Sequence, residues 1–456
     1  MRLNVALLAG INAILLGTTA VSAADLVIET PIVEEAASTF VLTVGAGVAA
    51  YNLPDFEGPI AESSDGRLLD LDGIALGGLV GFSASTQLGE SNGLATSLGV
   101  SGFLSFASRS SSNTVTLGND DFLLIQGLTT PTGTITLTTT PGTPAATSAV
   151  TGTAVDQAAA GVAMGPGVQN GYAVNDAGPG DEFAYVGLAT LDAGGADNLA
   201  YAFGAIATDE GGVFLAVGDL DGWEVTTDVT QSLLYTGADI TFSLSSAPDT
   251  GEIAVTGYAG PSYRFLGQDI TSEISVDVAE IQPTLPVDFT YPTFTQTTDE
   301  TLSTHYLGGI VGGNISVPVG ETSSLTLGLE GGLYATNTTY EGNETYELTG
   351  GNPLGGTASV DNAVDVSDEE DGIAYALRSQ ATYTTAISDG MQFSLGLGGE
   401  YLSQVATISR DPISGVTVDA GNENASYDGA ASTTNNIISF GDMWSVTLTG
   451  SITGQF

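Results

Sequence analysis

The chain has 456 residues and sets 53 acidic side chains against six basic ones, all Arg, for a formal net charge of −47. That imbalance excludes a basic surface for nucleic acid or anionic head groups, and the absence of cysteine excludes a disulfide framework and thiol chemistry. With 42% hydrophobic and 13% charged residues the chain is not of the disordered class, so its acidity is expected on a solvated exterior that divalent cations can bridge.

Arg2, the apolar run Val5 to Leu16 and the small-residue pattern Val21-Ser22-Ala23 make residues 1–23 an expected signal peptide. The run is too short to span a bilayer as a helix, which takes about 20 apolar residues. No other stretch is long and apolar enough, so any membrane crossing must be made by strands. Residues 24–38 are an acidic lead-in (Asp25, Glu29, Pro31, Glu34, Glu35) with neither helical nor strand period, expected on the periplasmic side.

From Thr39 the pattern has period two. Phe40, Leu42, Val44, Ala46 and Val48 share one face, and Thr43, Gly45, Gly47 and Ala49 the other, which is the signature of a half-buried strand. The same template lays out ten segments, near 39–52, 73–87, 93–108, 231–247, 252–282, 302–318, 323–340, 371–388, 391–410 and 442–456. Short turns such as Gly320-Glu321-Thr322 and Ser388-Asp389-Gly390 alternate with long connections throughout. An up-and-down barrel with short turns at one rim and long loops at the other requires that alternation. The exception in scale is 109–230, far longer than an ordinary loop. Its first half is rich in Thr, Pro and Gly between Thr129 and Pro144, and its second half carries strand-like pieces such as Phe183–Leu188 and Leu199–Ile206. Two readings stand: a β-rich extracellular insertion in a ten-stranded barrel, or a hidden hairpin that makes twelve.

The last segment is the clearest. Trp444, Val446, Leu448, Gly450, Ile452, Gly454 and Phe456 lie on one face and Ser445, Thr447, Thr449, Ser451, Thr453 and Gln455 on the other, as a transmembrane strand of about 9–11 residues with an apolar lipid face demands. A signal peptide together with a terminal strand closing on Phe456 resembles the Gram-negative outer-membrane β-barrel superfamily, porins included. The lead-in after Ala24-Asp25-Leu26 resembles the start of alphaproteobacterial surface-antigen barrels; Gly454 departs from the pattern, which more often has a large apolar residue there. The resemblance implies an all-β, antiparallel transmembrane barrel over 39–456 with both termini in the periplasm. It implies contacts with outer-membrane lipid and lipopolysaccharide, and an assembly machinery that reads Phe456.

Strand parity assigns charges to faces. Leu325, Leu327, Leu329 and Leu333 facing lipid put Glu330 in the lumen; the same argument turns Arg378 and Glu400 inward on the next two segments, all three near mid-height. An Arg on the lipid face at the midplane costs about 2–4 kcal/mol, which favours that placement. Two carboxylates flanking a guanidinium can act as a gate or as an internal staple. Arg264 is also expected inward, nearer the outer rim and with no nameable partner. Other inward residues are mostly small, such as Gly77, Gly81, Ser97 and Ser101, leaving room for water. His305, the single histidine, is expected on the lipid side, and no catalytic, cofactor or nucleotide motif is present. Asp70-Leu71-Asp72-Gly73 and Asp219-Leu220-Asp221-Gly222 offer oxygen ligands but lack the rest of a calcium loop. The functional expectation is a narrow, cation-preferring, porin-like pore, or a non-conducting anchor or adhesin displaying 109–230; an enzyme is not expected.

Overall fold

The computed structural model describes residues 40–58, 60–69, 71, 73–91, 93–119, 121–139, 145–150, 168–176, 183–192, 198–208, 211–246, 252–279, 293–349, 364–410, 415–419, 424–429 and 436–456. The expected signal peptide, the lead-in, Asp70 and Asp72 lie outside these residues. Ten long strands form one antiparallel closed barrel: β1 (Phe40–Asn52), β2 (Ile74–Ser91), β3 (Leu94–Thr116), β4 (Glu224–Ser246), β5 (Ala254–Asp277), β6 (Thr293–Pro318), β7 (Ser323–Thr349), β8 (Val364–Ser388), β9 (Met391–Arg410) and β10 (Asn436–Gln455). Each strand pairs with its neighbour in sequence. The ring closes by β1 against β10, in register from Val41 opposite Gln455 to Asn52 opposite Trp444.

All ten expected segments are present, but six of them run further toward the loop end than hydropathy indicated. β3 continues to Thr116 and β4 starts at Glu224, so the insertion between them is 117–223 rather than 109–230. β6 and β8 begin at Thr293 and Val364, β7 ends at Thr349, and β10 begins at Asn436. The cause is an inversion of polarity along single strands. Toward the turn end the outward face is apolar and exposed (Leu327, Leu329 and Leu333 on β7; Leu307, Val311 and Ile315 on β6). Toward the loop end, with parity unchanged, the outward residues of β5 are Asp269, Thr271 and Glu273, and the inward ones are Leu266, Ile270, Ile274 and Val276, all buried. A template that expects apolar residues outside stops where the inversion begins. On β9 the apolar run from Met391 to Tyr401, at about 3.4 Å per residue and a tilt of about 40°, covers about 25 Å, the height of a lipid-facing belt.

Above that belt the strands wrap folded material. The strand-like pieces of the insertion do not join the barrel, so its strand number is ten. Asp121–Gln126, Val168–Asp176, Phe183–Asp192, Asn198–Thr208 and Gly211–Gly218 join Ile60–Ser63 and Gly66–Arg67 in a seven-stranded sheet. Gly133–Thr138 and Ala145–Val150 join Val416–Asp419 and Asn424–Gly429 in a four-stranded one. One face of the larger sheet, with Tyr201, Phe203 and Phe214, packs on inward residues of the barrel, among them Ile270, Ile274, Phe294, Tyr346, Ile408 and Ile438. Phe214 stands 4.9 Å from Phe294, ring centre to ring centre. The other face, with Ile206, Val213 and Leu215, packs on Ile135, Leu137 and Tyr427 of the smaller sheet. Burying each large side chain stabilises the fold by about 1.5–3 kcal/mol, which is why the inward faces of the long strands turn apolar here.

The barrel wall is continuous only through the belt. The β8–β9 ladder runs from Ser388 opposite Met391 up to Ala376 opposite Leu402 and ends there. Between Leu402 and Val405 the register of β9 against β10 slips, with Gln404 at φ +56°. This bulge adds a residue to one strand and bends it. β9 then runs inward, with Val405, Ala406 and Ile408 buried, and the Ile408 carbonyl accepts the Glu57 N–H at 3.0 Å.

Candidate functional site in the lumen

Glu330, Arg378 and Glu400 sit directly opposite one another on three consecutive strands, Glu330 paired with Arg378 and Arg378 with Glu400. Side chains directly opposite on one sheet face lie within reach of each other. Arg378 donates from Nη1 to Glu330 Oε1 at 3.0 Å and from Nε to Glu400 Oε1 at 2.9 Å. The structure thus brings all three residues into one cluster on the lumenal face.

The cluster reaches across the barrel. The Tyr235 hydroxyl on β4 donates to Glu400 Oε1 on β9 at 2.7 Å. β4 and β9 are five places apart in the ring whichever way it is counted, so this bond crosses a diameter. Phe103 packs edge-on against Tyr235 at 4.9 Å, and the Arg264 guanidinium stands 5.2 Å above the Phe103 ring. Arg264 itself donates to both carboxylate oxygens of Asp239, at 2.7 and 2.8 Å. Parity placed Arg264 correctly inward, but not nearer the outer rim and not without a partner. It belongs to the same layer as Arg378, linked through Phe103, Tyr235 and Glu400. The sequence concealed the pairing because Asp239 lies on the neighbouring strand, 25 residues away.

Just above the charges the lumen is filled. Ala49, Tyr51, Ala75, Leu79, Phe103, Leu233, Leu266, Tyr306, Tyr334, Ala374, Leu402 and Met443 belong to one buried cluster, to which every barrel strand contributes. The inward bend of β9 completes it: the Tyr306 hydroxyl on β6 donates to the Gln404 carbonyl at 3.0 Å, and Gln268 Nε2 on β5 donates to the Ala406 carbonyl at 2.8 Å. Below the charges, toward the turn end, an open pocket is lined by Tyr258, Asn314, Glu330, Arg378, Gln380 and Glu400 among others. Of the small inward residues expected from the sequence, Ser97 lies near the turn end, whereas Gly77 stands opposite Ala49 and Ala107 of the buried cluster.

A second polar network joins the barrel to its insert. On β7, Glu344 is fully buried and accepts the Leu128 N–H of the insertion at 2.7 Å and Gln296 Nε2 of β6. Burial pushes this carboxyl up to about 7, against the downward pull of those donors. Gly127 lies so close to Glu344 and Tyr346 that a Cβ there would collide with both. Nearby, Arg410 of β9 pairs with Glu300 of β6, which also accepts the Tyr340 hydroxyl at 2.8 Å. Burial draws the Arg410 guanidinium down, but Glu300 and Tyr340 outweigh it and hold it above its ordinary value. Glu344 was missed because it lies past the polarity inversion. Its even number on β7, shared with Glu330, was the signal that could have found it.

The remaining candidates sit apart from both networks. Phe456 is 73% exposed, donates its N–H to the Phe40 carbonyl at 3.0 Å, and lies 6.3 Å from that ring at the seam of first and last strands. His305 is outward and exposed, and its Nδ1 is 2.7 Å from the Tyr263 hydroxyl, with Phe265 alongside. Asp219 to Gly222 form a tight turn closed by Trp223 N–H to the Leu220 carbonyl at 3.0 Å. Among the described residues no group of three or more His, Asp and Glu is arranged to hold a metal ion.

No family model matches the chain, and no curated protein matches it. Among solved structures it is similar to the outer membrane protease OmpT from Escherichia coli, at 8% identity over 94% of this chain and 100% of that one, with a TM-score of 0.30. A Pseudomonas aeruginosa FadL homologue matches at 8% identity over 92% and 90% of the two chains, TM-score 0.22. An anion-selective porin from Comamonas acidovorans matches at 12% identity over 92% and 99%, TM-score 0.17. Closure of the ten-stranded ring and the apolar belt around it establish the architecture on the chain's own residues: an all-β barrel of the outer-membrane type, its loop end packed with a folded insert.

Proposed function

We propose that this protein is a closed surface anchor: a barrel seated in the bacterial outer membrane, turn end and both termini in the periplasm, that holds the 117–223 insert at the cell surface. The observation that carries this reading is the buried cluster to which all ten strands contribute. The Tyr235–Glu400 bond spans the lumen at the lower edge of that cluster. A conducting path would have to open the cluster and then pass the insert packed above it. In this reading Glu330, Arg378 and Glu400 staple three strands together rather than gate a flow. The belt meets membrane lipid, the acidic loop-end faces meet lipopolysaccharide through divalent cations, and Phe456 serves the machinery that assembles the barrel.

The rival reading, a narrow cation-preferring pore, is favoured by the acidic cavity in the lower lumen. Single-channel recording of the refolded chain in a planar bilayer under a KCl gradient separates the two. The anchor is expected to be silent when its folding has been verified independently. Discrete, cation-selective steps at modest voltage would reverse the conclusion in favour of the pore.

A further inference from the structure

Where β9 leaves the wall, β8 loses a partner. From Val364 to Tyr375 it stays paired with β7 on one side, while its ladder to β9 has ended at Ala376. The last link across the gap is the Tyr375 N–H donating to Ser403 Oγ at 2.9 Å. Alternation along the strand therefore turns the N–H groups of Ser367, Glu369, Asp371 and Ile373 toward the open side. The Glu369 N–H is taken up by the carboxylate of Asp368 at 2.8 Å. Among the described residues no backbone group pairs with this edge. Ser367, Asp368, Glu369, Glu370 and Asp371 are all exposed, although successive residues point to opposite faces of the strand. On the outward face Glu369 and Asp371 are held by Asn337 Nδ2, at 2.7 and 3.1 Å. The edge stands just above the belt, whose upper limit here is Ile373 and Tyr375.

We infer that the β8 edge from Ser367 to Ile373 is a docking strand for an extended, cationic segment of another protein, added as a further strand to the sheet. An open edge supplies affinity through main-chain hydrogen bonds, and the flanking side chains select the partner. Here the selection is by charge: Asp368 and Glu370 line one face, Glu369 and Asp371 the other, with no cation among them. Such charges also keep an edge from pairing with its own kind. A second copy offering the same strand would set acid against acid, and like charges directly opposite are destabilising. A strand with Lys or Arg at alternate positions reverses that sign, and it gains the N–H and C=O groups that the bend of β9 left open.

The test uses the full chain, refolded in detergent micelles, and a short synthetic peptide of alternating Lys and Val, with its Glu-for-Lys counterpart as the control. The Lys peptide is expected to bind and to slow exchange of the open-side amides of Ser367, Asp371 and Ile373; the Glu peptide is not. Ser367→Pro removes one open-side N–H without changing charge and at an edge that tolerates Pro, so it is expected to weaken binding about tenfold, the worth of one lost backbone hydrogen bond and its geometry. Exchange in the unsubstituted chain stands as an independent readout if that variant does not fold. Failure of the Lys peptide to bind overturns the inference. So does binding that leaves those open-side amides unprotected, which would mean diffuse attraction to an acidic protein. Protection of these amides before any peptide is added would mean that the chain, or a second copy of it, already covers the edge, and would also overturn it.

Discussion

The lower and upper halves of the same strands obey one parity and opposite solvents. On β7, Leu325, Leu327, Leu329 and Leu333 look outward through the belt, with Thr326 and Glu330 buried inside. Further along, the outward residue is Glu341, and the buried inward ones are Tyr340, Glu344 and Tyr346. Below, lipid takes the apolar face and the lumen keeps hydroxyls, a cavity and ion pairs. Above, water takes the polar face and the lumen becomes a packed core. A strand of one periodicity can serve both environments because alternation fixes only which residues share a face, while the medium on each side decides which face must be apolar.

The largest expected effect tests the lower half. Arg378→Ala leaves the buried carboxylate of Glu330 and the half-buried one of Glu400 without their cation, and breaking a buried ionic group in this way costs about 3–5 kcal/mol. Unfolding in denaturant, monitored by gel mobility, measures it. Converting the whole cluster (Glu330→Gln, Arg378→Met, Glu400→Gln) is expected to recover most of the loss; a triple variant as unstable as the single one would argue against a staple.

The contrast between halves is tested next by placing one charge at matched outward positions. Leu395→Arg in the belt is expected to cost about 2–4 kcal/mol in a lipid bilayer, whereas Thr271→Arg on the exposed upper face should stay within about 0.5 kcal/mol. Equal costs would mean that lipid reaches the upper half, and the proposed boundary would have to move.

Smaller and pH-dependent is the latch between barrel and insert. Glu344 holds its proton up to about 7 in the folded chain against an ordinary value of 4.5. The folded state therefore binds more protons, and stability falls as pH rises from about 4.5 through 7, by at most about 3 kcal/mol. Fluorescence of the buried Trp223, isolated by Trp444→Phe, should report an insert that melts at lower temperature at pH 8 than at pH 5.5. Glu344→Gln should flatten this component; an unchanged slope in that variant would assign the pH dependence elsewhere.

Least of all in folded stability, Phe456→Ser is expected to change unfolding by less than about 1 kcal/mol, because the ring is largely exposed. Its effect is expected in cells, as a lower level of assembled protein. Normal assembled levels would remove Phe456 from the role given to it above.

Much of this was readable from the residues in order. Period two located ten strands, alternating turn and loop lengths gave the up-and-down order, and parity turned Glu330, Arg378 and Glu400 inward on adjacent strands. Each of these follows from local geometry, since a strand's side chains alternate and short turns force antiparallel neighbours. Strand ends above the belt were not readable, because hydropathy reports the medium and the medium changes part-way along the strand.

Contacts across the lumen belong to the tertiary structure alone. Tyr235 meets Glu400 over a separation of 165 residues, and Arg410 meets Glu300 over 110. Nothing in either neighbourhood specifies a distance across a closed ring, which depends on strand number, tilt and the bend of β9. That bend, set by the bulge at Gln404 and by what packs against it, both fills the lumen and opens the edge of β8. Sequence alone determined which face of each strand a residue occupies; only the closed barrel with its insert decided whether that face meets lipid, water or another side chain.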